Sequence, residues 1–185
     1  MKKYSKKYIY KIIEQGIDEL PNDIKEFINN NPIKIEVVKD VPFNGQIFAE
    51  RKLLLIAERK DKYKILTTLF NGIAHYIDYY KCNTKHIYWT EKNEHYKKSF
   101  ELDKDKIKKL FHFIDKYENM DKDIYFDEVE CFANTFSYYV LDKMYKKRKY
   151  KRQKCSIWKF IKKYKKECPN LWREIDLFIK NFSYL

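Results

Sequence analysis

No long apolar run occurs anywhere in the sequence. The start, Met1-Lys2-Lys3-Tyr4-Ser5-Lys6-Lys7-Tyr8, is basic, but Lys11, Glu14 and Gln15 interrupt the apolar residues behind it. A membrane-crossing helix needs about 20 predominantly apolar residues, and a secretory leader needs an unbroken apolar block. Neither pattern is present, so the expectation is a cytoplasmic protein without a transmembrane span. Glycine and proline are scarce, at 3 and 4 of 185 residues, and no repeat or low-complexity linker divides the chain. One domain over residues 1–185 is expected, large enough to bury a core without disulfides or a structural metal. The four cysteines, Cys82, Cys131, Cys155 and Cys168, show no CxxC spacing and are expected as free thiols. Cys82, His86 and His95 can be drawn as a metal cluster, but Cys-x-x-x-His without a second ligand pair is a weak zinc signature. The longest stretch without acidic residues is also the most basic. Between Lys143 and Lys166 there are 13 Lys or Arg and no acid, and the other 27 basic residues face 27 acids, so the net charge of +13 belongs to this segment.

What is present is mostly helical periodicity. Within the N-terminal segment 1–19, residues 4–19 place Ile9, Ile12, Ile13 and Ile17 on one face, with Leu20 following. Pro21 then suits the first turn of a second helix carrying Ile24, Phe27 and Ile28. Ile33, Ile35 and Val37 alternate with Lys34 and Glu36 as in a half-buried strand. Pro42-Phe43-Asn44-Gly45 predicts a turn before short strands near 46–49 and 52–57. Helices are expected over 62–82, 98–118, 124–147, 156–167 and 170–183, the last started by Pro169. The fold class is therefore α+β and mostly helical, with a small N-terminal sheet packed on helices.

Two of these helices carry a family resemblance. Leu66-Thr67-Thr68-Leu69-Phe70-Asn71-Gly72-Ile73-Ala74-His75-Tyr76-Ile77-Asp78-Tyr79 resembles a zinc-peptidase helix. Its HExxH motif sets two histidines on one face as ligands, with a glutamate between them that activates water. Here those slots read Asn71, Gly72 and His75. Glu128-Val129-Glu130-Cys131-Phe132-Ala133-Asn134-Thr135-Phe136-Ser137-Tyr138-Tyr139-Val140-Leu141 resembles the helix that supplies the third ligand in the Pro-Pro endopeptidases and the catalytic domain of anthrax lethal factor. Leu20 to Val38 and Cys168-Pro169-Asn170-Leu171-Trp172 are similar to the start and the close of that family's domain. The resemblance spans about residues 20–185 and implies a zincin-like metallopeptidase scaffold. It makes Asn71, His75 and Glu130 vestigial metal positions and Gly72 the former position of the general base. Loss of such a base costs roughly a hundredfold to ten-thousandfold in rate. The family's oxyanion tyrosine, seven residues before the ligand glutamate, is Asp123 here, with Tyr125 nearby. The expectation is a pseudoenzyme with no catalytic residues and no cofactor, residual zinc on His75 and Glu130 being the lesser outcome. Periodicity alone also predicts the first helix, through Ile65, Leu66, Leu69, Phe70, Ile73, Ile77 and Tyr80. A lone histidine in such a helix is more often hydrogen-bonded than metal-bound.

The basic segment supports a different class of function. Lys146, Lys147, Arg148, Lys149, Lys151, Arg152 and Lys154 form a candidate anion-binding set, with Tyr145, Tyr150, Trp158 and Tyr164 interleaved as rings that could stack on bases. The competing readings are a solvated lysine-rich loop, and Trp158, Ile161 and Tyr164 as a buried helix face. AT-rich codon usage would also produce much Lys, Ile, Asn and Tyr. No helix-turn-helix or zinc-finger signature occurs, so nucleic-acid contact would be independent of sequence. An acidic protein or an anionic membrane face would satisfy the same charges. Three functions follow in order. The first is an inactive metallopeptidase-like module binding a protein or peptide partner in the former substrate cleft. The second is a nucleic-acid-binding protein using segment 143–166. The third is a residual metallopeptidase with relocated ligands: His75, Glu130 and one of His86, His95 or Asp78.

Overall fold

Ser5 accepts a hydrogen bond from the Tyr8 backbone N–H at 3.3 Å and so starts helix α1, Lys6–Asp18. The structure is a computed structural model and describes residues 4–39, 41, 44–59, 61–81, 88–112, 127–147 and 156–182. Ile9, Ile12 and Ile13 of α1 are buried, as their spacing predicts, and α2 (Asn22–Asn30) follows directly after Pro21 with Ile24 and Ile28 inward.

A small sheet comes next, built from β1 (Lys34–Val38), β2 (Gly45–Phe48) and β3 (Leu53–Ala57). Its order is β1-β3-β2, with β1 parallel and β2 antiparallel to β3. The strands on either side of the expected 42–45 turn therefore do not pair with each other, and Pro42 and Phe43 lie outside the described residues. A 3-10 turn, Ala49–Arg51, and the left-handed Lys52 (φ 50°) reverse the chain from β2 into β3. Leu54 and Ile56 of β3 are buried, and the Tyr10 hydroxyl accepts the Val37 N–H at 3.2 Å to tie α1 to β1.

The remaining elements are α3 (Lys62–Lys81), α4 (Trp89–Lys92), α5 (Glu94–His112), α6 (Glu128–Lys146), α7 (Ser156–Glu167) and α8 (Pro169–Lys180). Helix α3 touches α1, β2, β3, α4 and α6, its largest interface being with α6. It is buried on nearly every side through the run Gly72–Asp78, beyond the single apolar stripe that its sequence shows. The short α4 has no counterpart among the expected helices, and α5 starts four residues before the predicted 98. Both differences come from caps rather than periodicity. Glu91 accepts the Tyr88 N–H at 2.8 Å, and Asn93 accepts the Tyr96 N–H at 3.0 Å. Cys131 and Cys168 are buried free thiols, while Cys82 and Cys155 lie outside the described residues. No described helix is long and apolar enough to cross a membrane.

Two wholly buried carboxylates each hold the start of another helix. Asp103 of α5 accepts the N–H groups of Asn170 and Leu171 at 2.9 and 3.0 Å and the Asn170 side-chain amide at 3.0 Å. Asp78 does the same for α4. Replacement Asp103→Ala leaves two N–H donors of α8 without an acceptor away from water, which should cost about 2–4 kcal/mol. Asp103→Asn keeps one acceptor oxygen and should cost less. Urea denaturation of the two variants measures the difference.

Candidate functional site

Helices α3 and α6 run antiparallel and are joined by polar rungs one helical turn apart. His75 Nε2 lies 3.1 Å from Glu130 Oε1. The Asn71 side-chain amide donates to Asn134 Oδ1 at 3.2 Å. Ser137 Oγ lies 3.3 Å from the Thr67 carbonyl and 2.9 Å from the Ala133 carbonyl of its own helix, which share its one proton. Steps of four residues on α3 thus meet steps of three or four on α6, the spacing that keeps side chains on one helical face. Asp127 accepts the Glu130 N–H at 2.7 Å, which starts α6 and fixes Glu130 in its first turn. The imidazole is nearly enclosed, whereas Asn71, Glu130 and Asn134 are half-buried, so one edge of the ladder reaches the surface.

The structure therefore brings together Asn71, His75 and Glu130, the three positions singled out in the sequence. Their hydrogen bonding differs from that of a ligand set. His75 faces Glu130 as a close N···O pair, and Asn71 is engaged by Asn134, a partner not singled out from the sequence. Its position four residues after Glu130, matching Asn71 four before His75, was the available signal. Among the described residues no three His, Cys, Asp or Glu side chains group as a metal could require. His95 does not join His75 and Glu130. It lines a separate recess of about 520 Å³ with Lys81, Trp89, Arg173 and Phe178. His86, Asp123 and Tyr125 lie outside the described residues. The described donors, His75, Glu130 and the amide of Asn71, do not by themselves fit a three-ligand zinc centre.

Gly72 faces the sheet. A Cβ built there would lie 2.4 Å from Leu54 Cδ1 and 2.9 Å from Leu54 Cδ2. Leu54 is buried in the central strand, so the slot where the resemblance places a base is filled by its side chain. Asp78, one turn beyond His75, accepts the Thr90 N–H and hydroxyl at 3.0 and 2.9 Å. Burial raises its carboxyl from 3.8 to about 6, against the opposing pull of the Thr90 hydrogen bonds and of His75. Tyr88 lies alongside. Burial pushes its hydroxyl up, and the charges of Asp78, Glu91 and Glu130 add to that. Tyr88 and Tyr79 form one wall of a recess of about 400 Å³, and Phe48, Ala49, Glu50 and Arg51 at the end of β2 form the other. Among the described strands β2 pairs only with β3, and its last residue, Phe48, lines this recess.

Only two of the seven candidate anion-binding residues are described, and both make ion pairs. Lys146 lies 2.7 Å from Asp142, which Lys165 also approaches at 3.5 Å, and Lys147 pairs with Glu19. Arg148, Lys149, Lys151, Arg152 and Lys154 lie outside the described residues. The interleaved rings belong to the core. Trp158 and Tyr164 are buried, Tyr145 stacks on Trp158 at 4.4 Å, and the Tyr164 hydroxyl lies 2.6 Å from Thr135 Oγ1. The buried-face reading is the one adopted for Trp158, Ile161 and Tyr164, and Tyr145 is partly buried with one face stacked on Trp158. Tyr150 lies outside the described residues.

The chain matches no known family model, no curated protein and no solved structure.

The packing around Gly72 and the burial of Asp78 can each be tested. Gly72→Ala should lower stability by about 1–3 kcal/mol through overpacking against Leu54, despite alanine's better helix propensity. The double variant Gly72→Ala with Leu54→Ala should lose less than the sum of the single variants, read from a denaturation cycle. For Asp78, the folded-state value lies above the unfolded one, so the folded chain holds that proton more tightly. Its contribution is fully present below the unfolded value near 4 and is lost as pH rises through about 6. Relative to Asp78→Asn, the wild type should gain about 2–3 kcal/mol as pH is lowered from about 7 to about 4, measured as unfolding free energy at each pH.

Proposed function

We propose that this chain is a catalytically inactive relative of the Pro-Pro endopeptidase and lethal-factor domains, with a zincin-like scaffold, acting as a protein-binding or regulatory module. The observation that carries the reading is the close approach of His75 and Glu130, with Nε2 3.1 Å from Oε1. The two side chains that the resemblance makes zinc ligands meet across α3 and α6. The third ligand slot is an asparagine held by Asn134, and the base slot is a glycine filled by Leu54. A carboxylate to take a proton from a bound water is missing from that slot, and side chains already bonded to each other offer little to a cation.

Binding is the function that such a scaffold retains. A terminal strand next to a recess can add an extended peptide through main-chain hydrogen bonds, with side-chain pockets giving selectivity. β2 is such a strand, and Phe48, Tyr79 and Tyr88 supply aromatic walls that lose little side-chain entropy on contact. The partner is accordingly a protein or peptide segment bound in extended form beside the ladder.

Zinc titration and partner capture test the two halves of the reading. Wild type should hold zinc weakly against a chromogenic chelator and leave proline-rich peptides uncut. Asn71→His, which supplies a third donor beside His75 and Glu130, should raise zinc affinity by about tenfold or more. Gly72→Glu should destabilise the fold unless Leu54 is reduced at the same time. Tyr79→Ala and Tyr88→Ala should weaken capture of a partner cross-linked from the native host, in variants that still melt like wild type. Stoichiometric, tightly held zinc with peptide cleavage by the wild type would overturn the proposal, and so would capture that both tyrosine variants leave unchanged.

A further inference from the structure

Helix α7 separates its residues sharply. Trp158, Ile161 and Tyr164 enter the core, and Phe160 packs edge-on against Tyr138 at 5.2 Å. Lys159, Lys162, Lys163 and Lys166 are all exposed. These positions follow i, i+3, i+4 and i+7, so the four ammonium groups fall in one stripe along two turns, about 10 Å long. No acid occurs in the helix before Glu167 at its end. Acids of other elements approach the flank of this surface. Asp142 of α6 draws Lys146 and Lys165, and Glu19 draws Lys147. Like charges one turn apart destabilise a helix by a few tenths of a kcal/mol per pair. Apposing anions relieve that repulsion.

We infer that the outer face of α7 is a docking surface for the phosphodiester backbone of duplex nucleic acid, gripped without regard to base sequence. The ligand must be polyanionic, because the stripe is a row of separate charges rather than a pocket. A duplex carries one charge per about 1.7 Å of its axis, so charges that recur every helical turn meet phosphates in any register. Single-strand binding calls for rings on which bases stack, and Tyr145, Trp158 and Tyr164 are packed against one another and the core. Lysines make point-charge contacts to phosphate rather than the planar two-pronged contacts by which arginine reads guanine. An anionic membrane is the weaker match, because an amphipathic helix binds bilayers by burying its apolar face, and that face of α7 is committed to the core. None of these observations depends on the peptidase-like reading of α3 and α6.

The test is fluorescence anisotropy on the full chain with two short duplexes of unrelated sequence, over a range of salt concentrations. Wild type should bind both alike. The variant Lys159→Gln/Lys162→Gln/Lys163→Gln/Lys166→Gln should lose about tenfold or more in affinity at low salt. Its plot of log affinity against log salt should be shallower by about 0.9 for each phosphate no longer neutralised, about 3–4 in all. Replacing the same four residues by arginine should preserve binding, which separates loss of charge from loss of fold. A control with equal charge removed elsewhere, Lys6→Gln/Lys7→Gln/Lys11→Gln/Lys108→Gln, should keep most of the affinity. The inference is overturned if the control loses as much as the α7 variant, if wild type shows no retention on duplex at low salt, or if binding goes to phosphatidylserine-containing vesicles and not to duplex.

Discussion

Placing polar side chains inside the α3–α6 interface is the constraint on which the rest of the structure depends. Apolar contacts such as Phe132, Phe136, Ile73 and Ile77 supply attraction, but attraction without direction tolerates sliding. The rungs do not. Moving α6 by one turn would part His75 from Glu130 and Asn71 from Asn134; the nearly enclosed imidazole left unpaired would cost about 1–3 kcal/mol, while the half-buried groups would regain water. The ladder thus sets the register of the two central helices, and the other helices and the sheet pack around that pair.

The scarce glycines serve this packing. None of the three has a positive φ, so conformational freedom is not their use. A Cβ at Gly16 would come within 2.8 Å of Leu66 and Leu69, and one at Gly72 would meet Leu54. Both let a neighbouring element approach α3 closely, α1 on one side and β3 on another. At Gly72 this has a chemical consequence. The absence of a side chain there admits the central strand to the helix, so a side chain at this slot and the packing of Leu54 exclude each other.

Charge is distributed by an equally physical rule. The acids that the basic segment lacks are supplied from elsewhere, by Asp142 from earlier in α6 and by Glu19 at the end of α1. Lys143 and Lys165 extend over the rings of Tyr139 and Trp172, where the ring faces favour a cation. On the outer face of α7, Lys159, Lys162, Lys163 and Lys166 are exposed at positions aligned in one row. The aromatic residues of the segment go the opposite way, into the core. A row of alternating lysines and rings in sequence therefore becomes two separate surfaces in space.

Much of this was legible in the sequence, because periodicity and caps act over a few residues. The helices over Ile9 to Ile17, Ile65 to Ile77 and Trp158 to Tyr164, the alternating strand at Ile33 to Val37 and the Pro169 start all follow from local spacing. The meeting of His75 with Glu130, separated along the chain by α4 and α5, was implied by the family resemblance of the two motifs and not by local spacing. What local spacing could not decide is how separate segments face each other. The parallel pairing of β1 with β3, the filling of the Gly72 slot by Leu54, the capture of Asn71 by Asn134 and the helix caps supplied by Asp78 and Asp103 join residues that are 12 to 68 positions apart. The sequence by itself determined which faces are apolar and where the charge lies. Only the tertiary structure decided which polar groups satisfy one another inside the fold and which charges line its outer face, because burial turns an unpaired polar group into a penalty that a linear pattern does not reveal.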